Sequence, residues 1–272
     1  MKPYPQSLNV ILGAPSMVYG DDLIHNVEVL SGLVKDIEVV LFHTPEINNI
    51  PTGREIDHLR EIGERKEISF TIHFPASLEP AAEKKDLREE SFEIAAEIVG
   101  RFSSLHPRHY ILHLPFSKPT LVAIPDFYFP WKATEEWNQW SYRADEALTR
   151  FGSLLGPAES LLVENINYSP CFLEPFWKKG LCEFCLDMGH LLLGREAVSE
   201  ILEQYLQVTR VIHLHGVEGS KEHISLACLP SRKLQGWFQV LKKAAYQGVI
   251  TLEVFDPRDL EESLNITRGF LE

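Results

Sequence analysis

Residues 181–216 read LCEFCLDMGHLLLGREAVSEILEQYLQVTRVIHLHG. An apolar run closes on Asp187, Met188, Gly189 and His190. An amphipathic stretch follows, and a second apolar run closes on His213, Leu214 and His215. The pattern is strand, helix, strand. Carboxylates and imidazoles are unfavourable in the middle of a buried strand, so their place at the end of each run needs a cause. In a parallel α/β protein the C-terminal ends of the strands are where ligands and reacting groups gather. Metal binding is a cause that uses both residue types at once.

Working outward, the same unit recurs eight times. LNVILG (8–13) precedes a helical pattern at 21–34, IEVVLFH (37–43) precedes 53–66, and ISFTIHFP (68–75) precedes a charged helix near 85–104. HYILHLP (109–115) precedes a helix within 134–155, and SLLVENIN (160–167) precedes a short helix near 171–179. CEFCLDMGH (182–190) precedes 196–207, TRVIHLHG (209–216) precedes 234–246, and GVITLEVF (248–255) precedes 259–271. Strands that are near-continuous runs of Val, Ile and Leu belong to a parallel sheet covered by helices. Eight such units in 272 residues, against ~250 for one closed barrel, predict a (β/α)8 TIM barrel. No linker or composition break divides the chain, so residues 1–272 are expected to form one domain.

The composition narrows the partners. Net charge is −13, from 39 acidic against 26 basic residues. A nucleic-acid backbone is bound by basic surfaces that release counterions, so the substrate is expected to be a small molecule or other non-nucleic-acid compound. No apolar run approaches the ~20 residues of a membrane span. The N-terminal MKPYPQSLNVILGAP has the look of a first strand and not of a signal peptide, so a cytoplasmic location is expected, with an unusual route of secretion left open. The cysteines are Cys171, Cys182, Cys185 and Cys228. Cys182 and Cys185 have a redox or zinc spacing. Inside a strand, however, residues three apart point to opposite faces, so buried, reduced thiols are expected.

Polar residues stand at the ends of six consecutive strands: His73, His113, Glu164, Asp187 with His190, His213 with His215, and Glu253. His223 follows in the loop after strand seven. Any one of them alone fits a hydrogen-bonded structural residue. Their joint placement at one barrel face fits imidazole and carboxylate ligands for zinc, manganese or a similar divalent ion. One ion cannot use them all, so two or three ions sharing a bridging carboxylate are expected.

VENIN, CLDMGH, VIHLHG, the EHI of KEHISLACLP, and TLEVF resemble motifs of the xylose-isomerase-like barrels, including apurinic endonuclease family 2. The resemblance implies a four-ligand core of Glu164, Asp187, His213 and Glu253. It implies further ligands at His73, His113, His190 and His223, the set with which the endonucleases hold three zinc ions. One position departs: Lys221 stands where that pattern has an Asp, and the adjacent Glu222 could replace it only with a shifted backbone. Within this group, IHFP, YILHLP, CLDMGHLLLG, RVIHLHGVEGSKEHISL and GVITLEVF resemble the cobamide-remodelling phosphodiesterases. Those enzymes hydrolyse the phosphoribosyl linkage in the nucleotide loop of corrinoid cofactors.

Two activities are therefore expected in order. The first is metal-dependent phosphodiester hydrolysis, with Glu164, Glu253, His113 and His223 as the reacting set and Glu164 bridging two ions. The second is sugar isomerisation or epimerisation on one ion, with Glu164 and Glu253 as acid and base on opposite faces of a ketose carbon. A binding protein on a decayed barrel is the weakest reading, because every core ligand is present. His215 is expected beside His213, as a supporting group, a substrate contact or a packed residue. Phe127, Tyr128 and Trp131, in the Pro- and aromatic-rich segment 116–133, are expected to wall the mouth against a large flat substrate. His43, at the end of strand two, is expected at the surface in preference to lining the mouth, and Asn165 and Asn167, flanking strand five, are given no role.

Overall fold

Each of the eight apolar runs becomes a short strand, and together they close into one all-parallel barrel. The computed structural model describes residues 8–20, 22–116 and 135–271. The first seven strands are β1 Ile11–Pro15, β2 Asp36–Val40, β3 Ser69–His73, β4 His109–His113, β5 Ser160–Glu164, β6 Glu183–Asp187 and β7 Thr209–Leu214. A hairpin of β8 (Gly216–Glu218) and β9 (Lys221–Ile224) stands outside the barrel, and β10 (Val249–Leu252) completes the ring. Around the barrel the order is β1, β10, β7, β6, β5, β4, β3, β2.

The helices between them are α1 Leu23–Leu30, α2 Gly53–Lys66, α3 Lys85–Phe102, α4 Glu135–Gly152, α5 Glu174–Trp177, α6 Met188–Leu193, α7 Val198–Tyr205, α8 Ser231–Ala244 and α9 Pro257–Leu271. Their amphipathic spacing turns one face to the sheet; α4, for example, buries Trp137, Trp140, Ala144, Leu148 and Phe151. Local chemistry fixes their ends. The Thr52 hydroxyl accepts from the Glu55 N–H while the Glu55 carboxylate accepts from the Thr52 N–H, a reciprocal cap that starts α2. None of the helices among the described residues is long and apolar enough to cross a membrane.

Two apolar layers result. The larger lies between sheet and helices. The smaller fills the barrel itself with Ile111, Leu162, Cys185, Val211 and Val249, against which Ile11 packs. Above this inner layer the strand register sets polar residues side by side: His113 opposite Glu164, Asp187 opposite His213, and His213 opposite Thr251.

Two expectations change. The strand read as 182–190 stops at Asp187, because its carboxylate accepts from the His190 N–H and caps α6, so Met188, Gly189 and His190 are helical. The segment after β7, read as a loop, contains the hairpin instead.

Candidate metal centre

Glu164, Asp187, His213 and Glu253 each place one ligand atom within 4.8 Å of every other at the C-terminal mouth. His213 Nδ1 lies 3.1 Å from Glu253 Oε2, 3.6 Å from Glu164 Oε2 and 3.8 Å from Asp187 Oδ2. Ligand bonds of ~2.0–2.2 Å to a tetrahedral ion put neighbouring donors ~3.4 Å apart, so these separations are those of a shared ion. His213 Nδ1 and Glu253 Oε2 are moreover buried and have no hydrogen-bond partner. Buried polar atoms left unpaired are strongly disfavoured, and a cation between them would satisfy both. The residues present fit a divalent ion.

A second group shares Glu164. His73 Nε2 lies 3.0 Å and His113 Nε2 3.2 Å from its Oε2. Three of the surrounding rings are oriented by the nitrogen that faces away. Nδ1 of His73 points at the Phe74 carbonyl at 2.8 Å, Nδ1 of His190 at the Asn165 carbonyl at 3.0 Å, and Nδ1 of His223 at the Glu253 carbonyl at 3.1 Å. An N–H donated to each carbonyl leaves Nε2 as the free donor, the arrangement that metal-ligating histidines adopt.

The third group is His190, Glu222 and His223. Sequence alone left Lys221 where a carboxylate was expected. In the hairpin the pairing slips between Gly216 and Glu218, and His223 takes φ 54°, in the left-handed region. Glu222 Oε2 is buried, unpartnered and 3.7 Å from His190 Nε2, while Lys221 stays exposed.

The electrostatics follow from crowding acids and imidazoles in one dry place. Burial works against charge on His73, but the hydrogen bond and charge of Glu164, then the charge of Glu38, outweigh it and push its pKa up to about 9. His215 also rises to about 9, burial being outweighed by Asp187. Burial raises the Glu164 carboxyl, yet His213 and His113 overcome it and hold the acid well below its usual range. Asp187 is lowered likewise, with His215 and His190 overcoming burial.

His215, expected as a possible substrate contact, is fully buried. Its Nε2 sits 3.3 Å from Asp187 Oδ2 and its Nδ1 accepts from the His223 N–H at 3.0 Å, so it braces Asp187 and the hairpin from below. Gly189 makes room for it, since a Cβ there would lie 2.0 Å from the ring. His43 is half-buried in a bridge to Asn48, away from the ligand groups. Cys182 and Cys185 are buried free thiols. Burial pushes Cys182 up to about 12, and Cys185 lies within ligand reach of Glu164 and His213. Phe127, Tyr128 and Trp131 lie outside the described residues.

Two buried residues escaped the sequence reading. The Asn165 side-chain amide grips the Asp187 backbone at both ends, donating to its carbonyl and accepting from its N–H, each at 2.9 Å. Glu38 lies inside the barrel, 2.9 Å from His213 Nε2. An acid in the middle of the run IEVV was the available signal.

No protein-family model matches the chain, and no curated protein is significantly similar to it. Solved structures do resemble it. A D-tagatose 3-epimerase-like protein superposes with a TM-score of 0.76 at 19% identity, covering 96% of this chain and 97% of its own. A xylose isomerase domain protein from Planctomyces limnophilus gives 0.70 at 16%, covering 99% and 98%. D-psicose 3-epimerase from Clostridium cellulolyticum H10, solved with D-tagatose, gives 0.69 at 13%, covering 97% and 100%. At these identities the likeness is one of fold, and the fold is the xylose-isomerase-like (β/α)8 barrel.

Proposed function

We propose that this chain is a metal-dependent phosphodiesterase working with two divalent ions, zinc or manganese, or with a third held by His190, Glu222 and His223. The observation that carries this reading is the presence of oriented ligand groups beyond the four-residue core: His73 and His113 on Glu164, and His190 and His223 around Glu222. Proton transfer on a sugar needs only the core, whereas a phosphoryl group in flight spreads charge over several oxygens that need separate partners.

Such ions, when bound, supply Lewis acidity at phosphorus and make water a better nucleophile near neutral pH. The protein's part is positioning. Glu164 reaches both adjoining groups through one carboxylate. The side chains of His113, His190 and His223 keep 21%, 18% and 23% exposure, so they are the imidazoles able to meet phosphoryl oxygens, while His213 and His215 are sealed below. Buried and held as an anion by His213 and His113, Glu164 is a weak proton acceptor, which suits a bridging ligand better than a base.

The substrate proposed is the nucleotide loop of a cobamide. The motif resemblance supports it, as does a net charge of −13 unsuited to nucleic acid. Phe255 adds a flat apolar surface at the mouth, 42% exposed and 5.1 Å from the His223 ring. The second reading, a ketose epimerase using Glu164 and Glu253 on one ion, is favoured by the likeness to D-tagatose 3-epimerase-like and D-psicose 3-epimerase structures. Metal counting on the purified protein, with parallel assays on a cobamide and on ketoses, separates the two. Two or three ions and release of a corrinoid phosphate bear out the first; one ion and epimerised ketose establish the second.

A further inference from the structure

His213 is the exception among the oriented rings. Those of His73, His190 and His223 are held through Nδ1 by backbone carbonyls, and offer Nε2. His213 is turned the other way: its Nε2 faces a carboxylate, Glu38 Oε2, and its Nδ1 faces the acids of the core. Glu38 comes from β2 and His213 from β7, strands that are not neighbours, so the contact crosses the barrel interior. Both side chains have no solvent exposure. Thr251, opposite His213 in the register, donates its hydroxyl to the same Glu38 oxygen at 3.2 Å.

A fully buried carboxylate is expensive to keep, and packing does not explain this one, because a Leu or Met would fill the space without the penalty. What it supplies is direction and charge. An N–H on Nε2 donated to Glu38 leaves Nδ1 with its lone pair aimed at Glu253, Asp187 and Glu164, and the anion behind the ring makes that nitrogen a stronger donor.

We infer that Glu38 is a positioning residue that selects the His213 tautomer and strengthens its Nδ1 as a metal ligand, with Thr251 holding Glu38 in place. The inference rests on the metal-site reading above. It is independent of which reaction the ions serve.

The test compares wild type with Glu38→Gln, Glu38→Leu and Thr251→Val. Zinc and manganese dissociation constants are measured by competition with a chelator, thermal unfolding is followed on the metal-free proteins, and imidazole nitrogen shifts are read on the loaded ones. Gln keeps an oxygen that accepts the same N–H and lacks only the charge. Weakening of about 10-fold is expected for Gln and up to about 100-fold for Leu, with a smaller loss for Val. Metal-free unfolding temperatures stay close to wild type in Glu38→Gln, whose amide oxygen still accepts the His213 N–H, and fall in Glu38→Leu, which leaves that N–H and the Thr251 hydroxyl buried without a partner. The loaded wild type shows the His213 Nε2–H in a hydrogen bond to a carboxylate, and Glu38→Leu loses that hydrogen-bonded shift. Unchanged affinity in both Glu38 variants overturns the inference while the metal reading stands. In Glu38→Gln, weakened binding matched by an equal loss of metal-free stability also overturns it, by making Glu38 structural. A wild type that binds no ion overturns both. Weakened binding in a protein that epimerises ketoses upholds Glu38 and removes the phosphodiesterase.

Discussion

The barrel interior carries two polar rings, one toward the mouth and one toward the foot, beside the apolar cluster of Ile111, Leu162, Cys185, Val211 and Val249, and the rings behave in opposite ways. At the mouth, carboxylates raise imidazoles: His73 goes up to about 9 despite burial. At the foot, His109 begins β4 and goes down to about 4, through burial and then the charge of Arg108. Carboxylates diverge as well. Glu38 is lowered by His213 against the effect of burial, whereas Asp36, two residues earlier on the same strand, is raised by burial to about 6. Burial is similar in kind at both levels, so the partner decides the sign. The upper ring pairs every acid with a base and leaves donor atoms facing inward. The lower ring has Ser69 donating to Asp36 at 2.6 Å, and both Asp36 Oδ1 and His109 Nδ1 without a partner.

If the upper ring is the reacting one, Glu164→Gln should give the largest effect. Turnover is expected to fall by at least ~10²–10³-fold, the scale of removing one preorganised electrostatic group, in a variant that still folds cooperatively. Retained turnover would break the comparison at its centre, since another group would then have to join the two ligand sets.

The lower ring should show the converse. Asp36 has a folded-state pKa of about 6 against 3.8 for a free carboxyl. A raised acid stabilises fully below the unfolded value and loses that contribution as pH rises through the folded one. Above pH 7, Asp36→Asn should therefore stabilise by up to ~3 kcal/mol, from about two pKa units at 1.36 kcal/mol each. The gain should vanish near pH 4, and turnover should not change. Denaturant unfolding at the two pH values reads it; a variant that loses activity would join the two rings into one functional unit.

Metal removal sharpens the same contrast. Chelation should lower the unfolding midpoint, by the equivalent of ~2.7 kcal/mol when the free ion stands at 100 times its dissociation constant. His73 is protonated at neutral pH without an ion, its pKa lying at about 9, so binding must displace that proton. Affinity is expected to climb between pH 6 and 9 with protons released, which calorimetry in buffers of different ionisation enthalpy detects. An affinity flat across that range would mean that His73 is not a ligand.

The smallest effect belongs to the thiols. Cys182 is buried and pushed up to about 12 by burial, then by Glu183. Cys182→Ser should leave turnover within about twofold, and alkylation of the native protein should label the exposed Cys228 first. Rapid labelling of Cys182 would show that the barrel wall opens there.

The strand ends were legible because a polar residue closing an apolar run has few explanations, and repetition leaves fewer. His190 was legible as a candidate ligand but misplaced on a strand, since the capping action of Asp187 begins a helix directly after the strand ends. Glu222 could be named only as a substitute needing a displaced backbone, because its approach to His190 depends on the hairpin conformation, which no local pattern announces. Asn165 was passed over because its amide serves the main chain of a neighbouring strand, a role without a sequence pattern.

The sequence by itself determined the eight-fold alternation, the parallel barrel and the face on which acids and imidazoles collect, because hydrophobic period and strand direction are local properties that repeat along the chain. Only the tertiary structure decided which nitrogen of each ring faces inward, that Glu222 and not Lys221 turns toward His190, and that Glu38 meets His213 across 175 residues. Those outcomes depend on closure of the barrel, which brings non-neighbouring strands face to face across its interior, and contacts of that kind leave no period in the chain to read.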